Sequence, residues 1–180
     1  MPSCLFFRWK PLFSHQCRIH EGYRAGLIGR IVSFHAETYD RFSGFGLTFE
    51  SKVASELAAF CQRLDRPANR IWRAENQDGV IGGIAIDGED LGGGEAHLRW
   101  FIVDPACRAS GVGKQLLAHA LGFVDQNPFT QTRLWTLKGL SAAQHLYEQA
   151  GFRLEDEYLG DQWGKPVTEQ MFIRPNDGKR

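Results

Sequence analysis

The sequence predicts one α/β domain built on a mixed β-sheet. Strand-like and helix-like segments alternate along the chain, no linker or internal repeat divides them, and 43% of the 180 residues are hydrophobic. That apolar content is enough for a core of ordinary size. The domain is expected to cover residues 17–174, with residues 1–16 as a loosely ordered extension and residues 175–180 as a tail.

Helices are predicted where apolar residues recur at a spacing of three and four, and strands where short apolar runs lie between turn residues. The expected elements are, in order, a strand at 17–20, helices from Ile28 to Tyr39 and from Val53 to Leu64, a hairpin of strands at 70–75 and 80–86, a strand at 95–103, a helix from Val112 to Val124, a strand at 132–137, a helix at 141–150, and strands at 152–159 and 168–173. Asp78-Gly79 supplies the hairpin turn. Ser141 is the expected N-cap of the last helix, and Gly151 follows its end.

Composition argues against several classes of function. Lys plus Arg and Asp plus Glu each total 21, so the formal charge is zero and a phosphate-backbone partner is not expected. The four cysteines form no CxxC pair and have no metal-ligand spacing, which predicts free thiols in a reducing cytoplasm and no metal site. No apolar run reaches the roughly 18–20 residues that span a bilayer. The apolar stretch Cys4–Phe7 is also too short for a signal peptide.

The most informative segment is the turn that follows the strand at 95–103. The strand stops at Pro105, and Arg108-Ala-Ser-Gly-Val-Gly113 leads directly into a helix. Such a turn leaves the first amide groups of the helix unpaired at its positive dipole end, where a phosphate or pyrophosphate fits. Gly111 and Gly113 let the backbone approach this ligand, while Arg108 and Lys114 add charge at the rim.

Two other phosphate-binding motifs fit this turn less well. A nucleotide P-loop needs glycine where Arg108 stands and Ser or Thr where Gln115 stands, to hold magnesium. A dinucleotide fingerprint needs a small third residue where Leu116 stands. What remains is Arg-x-x-Gly-x-Gly between a strand and a helix, for which a helix start with incidental glycines is the alternative.

This pattern resembles the pyrophosphate-binding signature of the GNAT superfamily of acyl-CoA-dependent N-acetyltransferases. A second segment, Leu146-Tyr-Glu-Gln-Ala-Gly-Phe152, is similar to the Leu-Tyr-x-x-x-Gly-Phe ending of the superfamily's following helix. The resemblance covers residues 17–174 and is in particular to the acetyltransferase half of proteins that carry a winged-helix, MarR-like domain at their N-terminus. Residues 1–16 are too few for that domain, so its DNA binding is not carried over.

The resemblance implies a fold and a cofactor site. The fold is a central mixed sheet that splays open, flanked by helices; the co-substrate is acetyl-CoA, and no metal is implied. Backbone groups of Phe101, Ile102 and Val103 would meet the pantetheine arm. The pyrophosphate would be held by Arg108, Ala109, Ser110, Gly111, Val112, Gly113 and Lys114. Tyr147 matches the tyrosine that protonates the departing CoA thiolate, whereas Leu140 replaces an Asn that contacts the cofactor in many members.

Acetyl transfer to an amine needs a neutral amine, a polarised thioester carbonyl and a protonated leaving thiolate. An alkylammonium has a pKa of about 10.4, so a base or a water relay must take its proton. Strand alternation predicts one shared face for Glu95, His97, Arg99, Phe101 and Val103. Glu95 and His97 are therefore the candidate bases. His35, on the apolar face of the first helix, is expected to be a hydrogen-bonded core histidine.

The acceptor is expected to bind where loops meet the fixed scaffold. The segment at 39–50 is aromatic, hinged by glycines and carries acids, so Tyr39, Phe45 and Glu50 are candidate acceptor contacts. Trp135 and Trp163 are further candidates at the border of the site. Ordinary packing of these aromatic residues is the alternative.

The sequence thus predicts a cytoplasmic N-acetyltransferase that moves an acetyl group from acetyl-CoA to a primary amine by direct attack in a ternary complex. The amine belongs to a small molecule or a peptide; no nucleic-acid or membrane partner is expected, and a homodimer is compatible with the sequence. The alternative is an acyl-CoA-binding sensor without turnover, because no base stands out.

Overall fold

The computed structural model describes residues 17–176. The strands are β1 (Arg18–Glu21), β2 (Arg70–Asn76), β3 (Gly79–Asp87), β4 (Glu95–Val103), β5 (Gln131–Leu137), β6 (Arg153–Gly160) and β7 (Val167–Pro175). The helices are α1 (Leu27–Ser43), α2 (Leu47–Cys61), α3 (Val112–Asp125) and α4 (Ser141–Gln149), with one 3-10 turn at Pro105–Cys107. The extension predicted at residues 1–16 lies outside the described residues. None of the helices within 17–176 is long and apolar enough to span a membrane.

All seven strands join one sheet in the order β1-β2-β3-β4-β5-β7-β6. β4 and β5 are parallel, and every other neighbouring pair is antiparallel. The sheet is therefore mixed, which confirms the predicted fold class. The parallel pair needs a crossover, and α3 supplies it.

Helices cover both faces of this sheet. On one face, α1 and α2 bury an apolar cluster that includes Ile31 and Leu57, which are fully buried. On the other face, α3 packs Leu116 and Val124 against the sheet, also without exposure. β3 lies between the two layers and is buried along almost its whole length, as expected for a strand covered on both faces.

β4 and β5 separate after a short paired stretch. They pair only where Glu95–His97 meets Gln131–Arg133, although β4 continues to Val103 and β5 to Leu137. The gap between their carboxyl halves is the splay that the resemblance implied. It opens at the end of β4 that leads into α3.

A β-bulge in β4 corrects the predicted strand alternation. Gly83 pairs with Ile102 and Ala85 pairs with Arg99, so β4 uses one more residue than β3 over this step. Trp100 lies at this bulge, and its backbone has a left-handed conformation with φ at 47°. The ring packs at 5.1 Å from Phe60 and beneath the Arg99 guanidinium, which lies 4.1 Å from its centre.

The bulge reverses the sides to which β4 directs its side chains. Before it, Ala96 and Leu98 pack on the α3 face; after it, Trp100 and Ile102 pack on the α1–α2 face. Phe101 and Val103 consequently pack on the α3 face, away from Arg99. The prediction of one face from Glu95 to Val103 was wrong for its last two members, because alternation assumes a regular strand.

Three local predictions also need correction. The second helix ends at Cys61, so Leu64 lies in the turn that follows it. The segment at 39–50 is mostly helical, since α1 runs to Ser43 and α2 begins at Leu47. Leu140 is the N-cap of α4 and Ser141 its first residue, with no side-chain capping bond. Gly151 does follow the helix in a left-handed conformation, with φ at 90°.

Candidate functional site

The turn before α3 exposes a row of free backbone donors. Ala109 and Gly111 are both left-handed, with φ at 59° and 84°, and the chain enters α3 at Val112 without a side-chain cap. Among the described residues, the amides of 109–114 donate to no acceptor; the first helical bond runs from Gln115 to Gly111. Successive amides in such conformations form an anion-binding concavity, which the helix dipole reinforces.

Side chains fix the shape of this turn. Asp104 accepts from the Ala106 amide at 2.9 Å, and the Ser110 hydroxyl donates to the Cys107 carbonyl at 2.5 Å. The Arg108 guanidinium donates to the Val103 carbonyl at 3.3 Å and to the Thr38 hydroxyl of α1 at 3.0 Å. Arg108 therefore joins the turn to the helix that lines the neighbouring cavity.

The two glycines of the turn do different things. At Gly111 a side chain would meet nothing within 4 Å, so the surface there is open. A Cβ at Gly113 would instead lie 3.5 Å from the Phe101 ring and 3.7 Å from a Val103 methyl group. Gly111 is needed for its left-handed backbone, whereas Gly113 brings α3 close to the bulged end of β4.

Tyr147 of α4 is a buried aromatic residue next to Phe101. Its ring is 6% exposed and packs against Phe101 at 6.1 Å, Phe152 at 5.9 Å and Phe172 at 6.1 Å. Its hydroxyl makes no hydrogen bond to another described residue, and the residue borders the cavity described next. Burial, and then the neighbouring Tyr39, raise the pKa of Tyr147 above its ordinary value.

A cavity of about 540 Å³ lies on the α1–α2 face beside the splay. Aromatic side chains supply much of its wall: Tyr39, Phe45, Phe49, Trp100, Phe101, Trp135, Tyr147 and Trp163. Its polar and charged lining includes His35, Lys52, Glu56, Arg63, Asp90, His97, Arg99, Thr136, Gln162 and Glu169. A volume of this size accommodates a small molecule or one side chain of a peptide. The cavity reaches Phe101, whose ring lies 3.5 Å from where a Cβ at Gly113 would be, so the cavity and the turn before α3 are close together.

His97 lies in the cavity wall, and one of its ring nitrogens is hydrogen-bonded to Asp90. Its Nδ1 is 2.5 Å from the Asp90 carboxylate, and its ring meets Trp135 edge-on at 4.8 Å. If Nδ1 carries the proton donated to Asp90, Nε2 keeps a free lone pair. Burial, and then the Arg99 guanidinium, lower the pKa of His97 more than Asp90 raises it. The neutral imidazole is therefore the favoured form at neutral pH.

A network of charges supports this wall. Arg99 pairs with Glu56 of α2 and lies 3.5 Å from Asp90. Behind it, Arg63 binds the fully buried Asp87 at 2.7 Å. These partners could not be predicted from the sequence, because they come from separate elements and no regular spacing along the chain connects them. The only local signal was the acidic run beside the glycines at 92–94.

The remaining predicted residues separate into two groups. Tyr39, Phe45 and Trp135 line the cavity. Glu95 is paired with Arg133, at 2.6 Å, and Glu50 is exposed in the first turn of α2; neither lines the cavity. Within residues 17–176, no group of three or more His, Cys, Asp or Glu side chains is arranged to hold a metal ion.

His35 is a core histidine that also reaches the cavity. Its Nδ1 donates to the Ile31 carbonyl at 2.9 Å, and its ring stacks on Tyr39 at 6.0 Å. Burial lowers the pKa of His35 to about 4 and raises that of Tyr39 to about 12. Both groups are therefore neutral at physiological pH.

Comparison with known proteins agrees with this geometry. Residues 67–154, from just before β2 into β6, match the model of the acetyltransferase (GNAT) domain. This stretch is therefore similar to a GNAT acetyltransferase domain. No curated protein sequence matches it significantly. The comparisons support the acetyltransferase domain alone, so the winged-helix fusion is not shown.

Solved structures share the fold at low sequence identity. YncA of Salmonella typhimurium, solved with its cofactor acetyl-CoA, superposes with a TM-score of 0.73 at 14% identity, covering 91% of this chain and 96% of that one. An acetyltransferase of the GNAT family from Staphylococcus aureus superposes with a TM-score of 0.71 at 18% sequence identity, and the match covers 89% of this chain and 99% of that one. A ribosomal-protein-alanine N-acetyltransferase from Brucella melitensis superposes with a TM-score of 0.70 at 14% sequence identity, and the match covers 88% of this chain and 99% of that one. At these identities the likeness shows the fold.

Proposed function

We propose that this protein is an acetyl-CoA-dependent N-acetyltransferase that acetylates a primary amine by direct attack in a ternary complex. The observation that carries the proposal is the meeting of two sites at one opening. The free amides of 109–114 lie at the end of β4, and the cavity containing His97 borders the same splay through Phe101 and Tyr147. A donor and an acceptor bound on the two sides would meet between β4 and β5.

The turn fits the cofactor that this reaction requires. Acetyl-CoA supplies the activated acetyl group and a thiolate leaving group. The amides of 109–114 would bind its pyrophosphate, with Arg108 and Lys114 adding charge. Trp100 and Phe101 have no register partner on β3 or β5, so backbone groups at the bulge would contact the pantetheine arm and polarise the thioester carbonyl.

His97 is the side chain best placed to take the amine proton. It lines the cavity, its Nδ1 is bound to Asp90, and its lowered pKa keeps it neutral. Asp90 would hold the ring in one orientation and stabilise the imidazolium formed when the proton arrives, directly or through water. Glu95 is a weaker candidate, because Arg133 neutralises it outside the cavity.

Tyr147 is the proposed proton donor to the departing thiolate. Its hydroxyl is free, and burial keeps it protonated by raising its pKa. The ring packing against Phe101 and Phe172 fixes its position. The raised pKa makes the phenol a weak acid, so what supports this role is its fixed position and the proton that it retains at neutral pH.

The wall of the cavity suits an amine attached to an apolar body. Tyr39, Phe45 and Trp135 offer aromatic surface, and aromatic faces also attract ammonium groups before deprotonation. The acceptor would be a small molecule or a peptide side chain of the cytoplasm. The cysteines at 17, 61 and 107 are free, which is compatible with that compartment.

Ligand-dependent melting tests the cofactor half of the proposal. At a hundredfold excess over its Kd, a ligand adds roughly 2.7 kcal/mol to the free energy of unfolding. For a domain of this size, where 1 kcal/mol corresponds to about 2–4 °C, acetyl-CoA or CoA should raise Tm by about 5–11 °C. ATP with magnesium is the control and should do much less. Stabilisation by ATP alone would refute the assignment.

Release of CoA thiol across a panel of primary amines separates an enzyme from a sensor. The proposal expects amine-dependent release and an acetylated product detectable by mass. An acyl-CoA sensor would show the thermal shift without release. The same screen identifies the acceptor.

A further inference from the structure

One carboxylate in the cavity lining has no cationic partner. Glu169 of β7 is 1% exposed and borders the cavity. Its Oε2 accepts from the Gln162 amide at 2.6 Å, and its Oε1 has no hydrogen-bond partner among the described residues. The other two carboxylates in the lining, Glu56 and Asp90, both interact with Arg99.

The two groups seen beside the Glu169 carboxylate, Tyr158 and Gln162, are neutral. The Lys52 ammonium lies 5.7 Å from the Trp163 ring and is paired with Glu56 at 2.6 Å. Tyr158 is its register partner on β6, and burial together with the charge of Glu169 raises the pKa of that phenol. Trp135, which is near Tyr158, belongs to the aromatic wall of the cavity. A buried carboxylate that is hydrogen-bonded only by neutral groups keeps much of its desolvation cost, which a cation from the ligand would offset.

Gly160 makes room for this carboxylate. A Cβ at Gly160 would collide with Glu169 Oε1, and its backbone is outside the left-handed region. The absence of a side chain at this position therefore serves the carboxylate rather than a turn. Gln162 and Trp163, on the exposed connection between β6 and β7, cover the same end of the cavity.

Strand register gives the spacing between Glu169 and the proposed base. Trp135, which contacts the His97 ring, pairs with Met171, and Leu137 pairs with Glu169. Two residues along a strand correspond to about 7 Å. A ligand whose amine is near His97 can therefore bring a second polar group to Glu169 if a short chain separates the two.

We propose that Glu169 binds a second ammonium group of the acceptor, so that this protein selects diamines over monoamines. The inference rests on the proposed acetyl transfer for its biological meaning, since the selected molecule is the acceptor of that reaction. The ammonium would replace or join Gln162 on the carboxylate, with Trp135 and Trp163 enclosing the cation. The amine near His97 then loses its proton and reacts.

Isothermal titration with matched pairs of amines tests the inference without turnover. The probes are α,ω-diaminoalkanes of increasing length, each against the alkylamine in which a methyl group replaces the second ammonium. Titrations are run on the full chain with and without CoA. At least one diamine should bind about tenfold more tightly than its matched monoamine, as expected for a charge-assisted hydrogen bond in a buried site.

Three variants assign that preference to the carboxylate. Glu169→Gln keeps the shape and removes the charge, so the ratio of the two affinities should fall to near one. Gly160→Ala displaces the carboxylate with a single methyl group and should also reduce the ratio, which covers the case in which Glu169→Gln fails to fold. Glu155→Gln makes the same charge change at an exposed position on β6 and should leave the ratio unchanged.

The inference is overturned if wild-type protein binds both members of every pair equally, if it binds no amine, or if the preference survives Glu169→Gln. Thiol release and the CoA-dependent Tm shift are measured on the same samples. A diamine preference without thiol release would refute the proposed enzyme and leave the ammonium site standing. Thiol release with equal use of diamines and monoamines would support the proposed enzyme and refute the ammonium site.

Discussion

The turn at 108–114 and the cavity on the α1–α2 face are built from different parts of the chain. The turn is one continuous stretch whose donors are backbone amides. The cavity takes its side chains from α1, α2 and α4, from β4, β5 and β7, and from several of the connections between these elements. A site made of backbone depends on local conformation, whereas a site made of side chains depends on how distant elements pack.

The two regions also treat charge differently. The turn is exposed, and its partial positive charge comes from peptide dipoles and from Arg108 and Lys114. The cavity wall holds charged side chains with fixed partners, such as Arg99 with Glu56, and also Glu169, whose Oε1 has no partner among the described residues. Substitutions in the cavity should therefore affect chemistry and stability strongly, while those in the turn should act mainly through backbone conformation.

The largest effect is expected at His97. His97→Gln keeps a polar group but removes the base, so kcat should fall by about 10²–10⁴-fold while the Kd for acetyl-CoA changes little. In the wild type, kcat/KM should fall as pH drops through the lowered pKa of His97. Asp90→Asn removes the charge that raises this pKa, so the acidic limb should move to lower pH. If kcat is unchanged in His97→Gln while chemistry is rate-limiting, His97 is not the general base, and Glu95 or water must accept the amine proton.

His35 should make stability depend on pH. Its folded-state pKa of about 4 lies below the unfolded value of 6.5, so the unfolded chain binds the extra proton between these values. Stability is then complete above pH 6.5 and falls as pH decreases toward 4, by about 3 kcal/mol. Urea unfolding at several pH values measures the change. His35→Gln does not titrate and should lose most of this dependence; an equal slope in both proteins would assign it elsewhere.

Tyr147→Phe should lower turnover more than it weakens acetyl-CoA binding. The substitution keeps the buried ring and removes the proton proposed for the thiolate. A thiolate leaves tolerably well without protonation, so the loss of kcat should be near the low end of acid catalysis, about 10²-fold. Steady-state kinetics at saturating acetyl-CoA measures it. Equal kcat in the two proteins would leave Tyr147 with a packing role only.

The smallest effects are expected in the turn, and they should have opposite signs. Gly111→Ala forces a side chain into a left-handed conformation and should cost about 1–2 kcal/mol, although nothing crowds the new methyl group. Ala109→Gly relieves the same conformation and should stabilise the protein by up to about 1 kcal/mol.

Gly113→Ala is the control for that pair. Its Cβ would make ordinary contacts, and α3 at this position is right-handed, so the substitution should be tolerated. Chemical denaturation measures all three variants. Equal effects at Gly111 and Gly113 would show that backbone conformation does not govern the turn.

The sequence by itself determined the order of elements, the mixed sheet and the turn before α3. These depend on local patterns: apolar periodicity, a strand stopped at Pro105, and glycines at 111 and 113. Such patterns can be recognised in a sequence because the backbone conformation there depends mainly on neighbouring residues. The same reasoning placed Tyr147 on a helix that ends just before Gly151.

Tertiary structure alone decided which side chains share the cavity. The bulge at Trp100 packs Phe101 against the α3 face, although strict alternation would place it on the same face of the sheet as His97, and both residues still border the cavity. It depends on the pairing of β4 with β3, which no local pattern reveals. Likewise, Asp90 meets His97 only because the β3–β4 connection folds back, and Glu169 enters the lining only because β7 inserts between β5 and β6. Pairing and packing over long separations fix these contacts, so their physical cause lies outside any local window of the sequence.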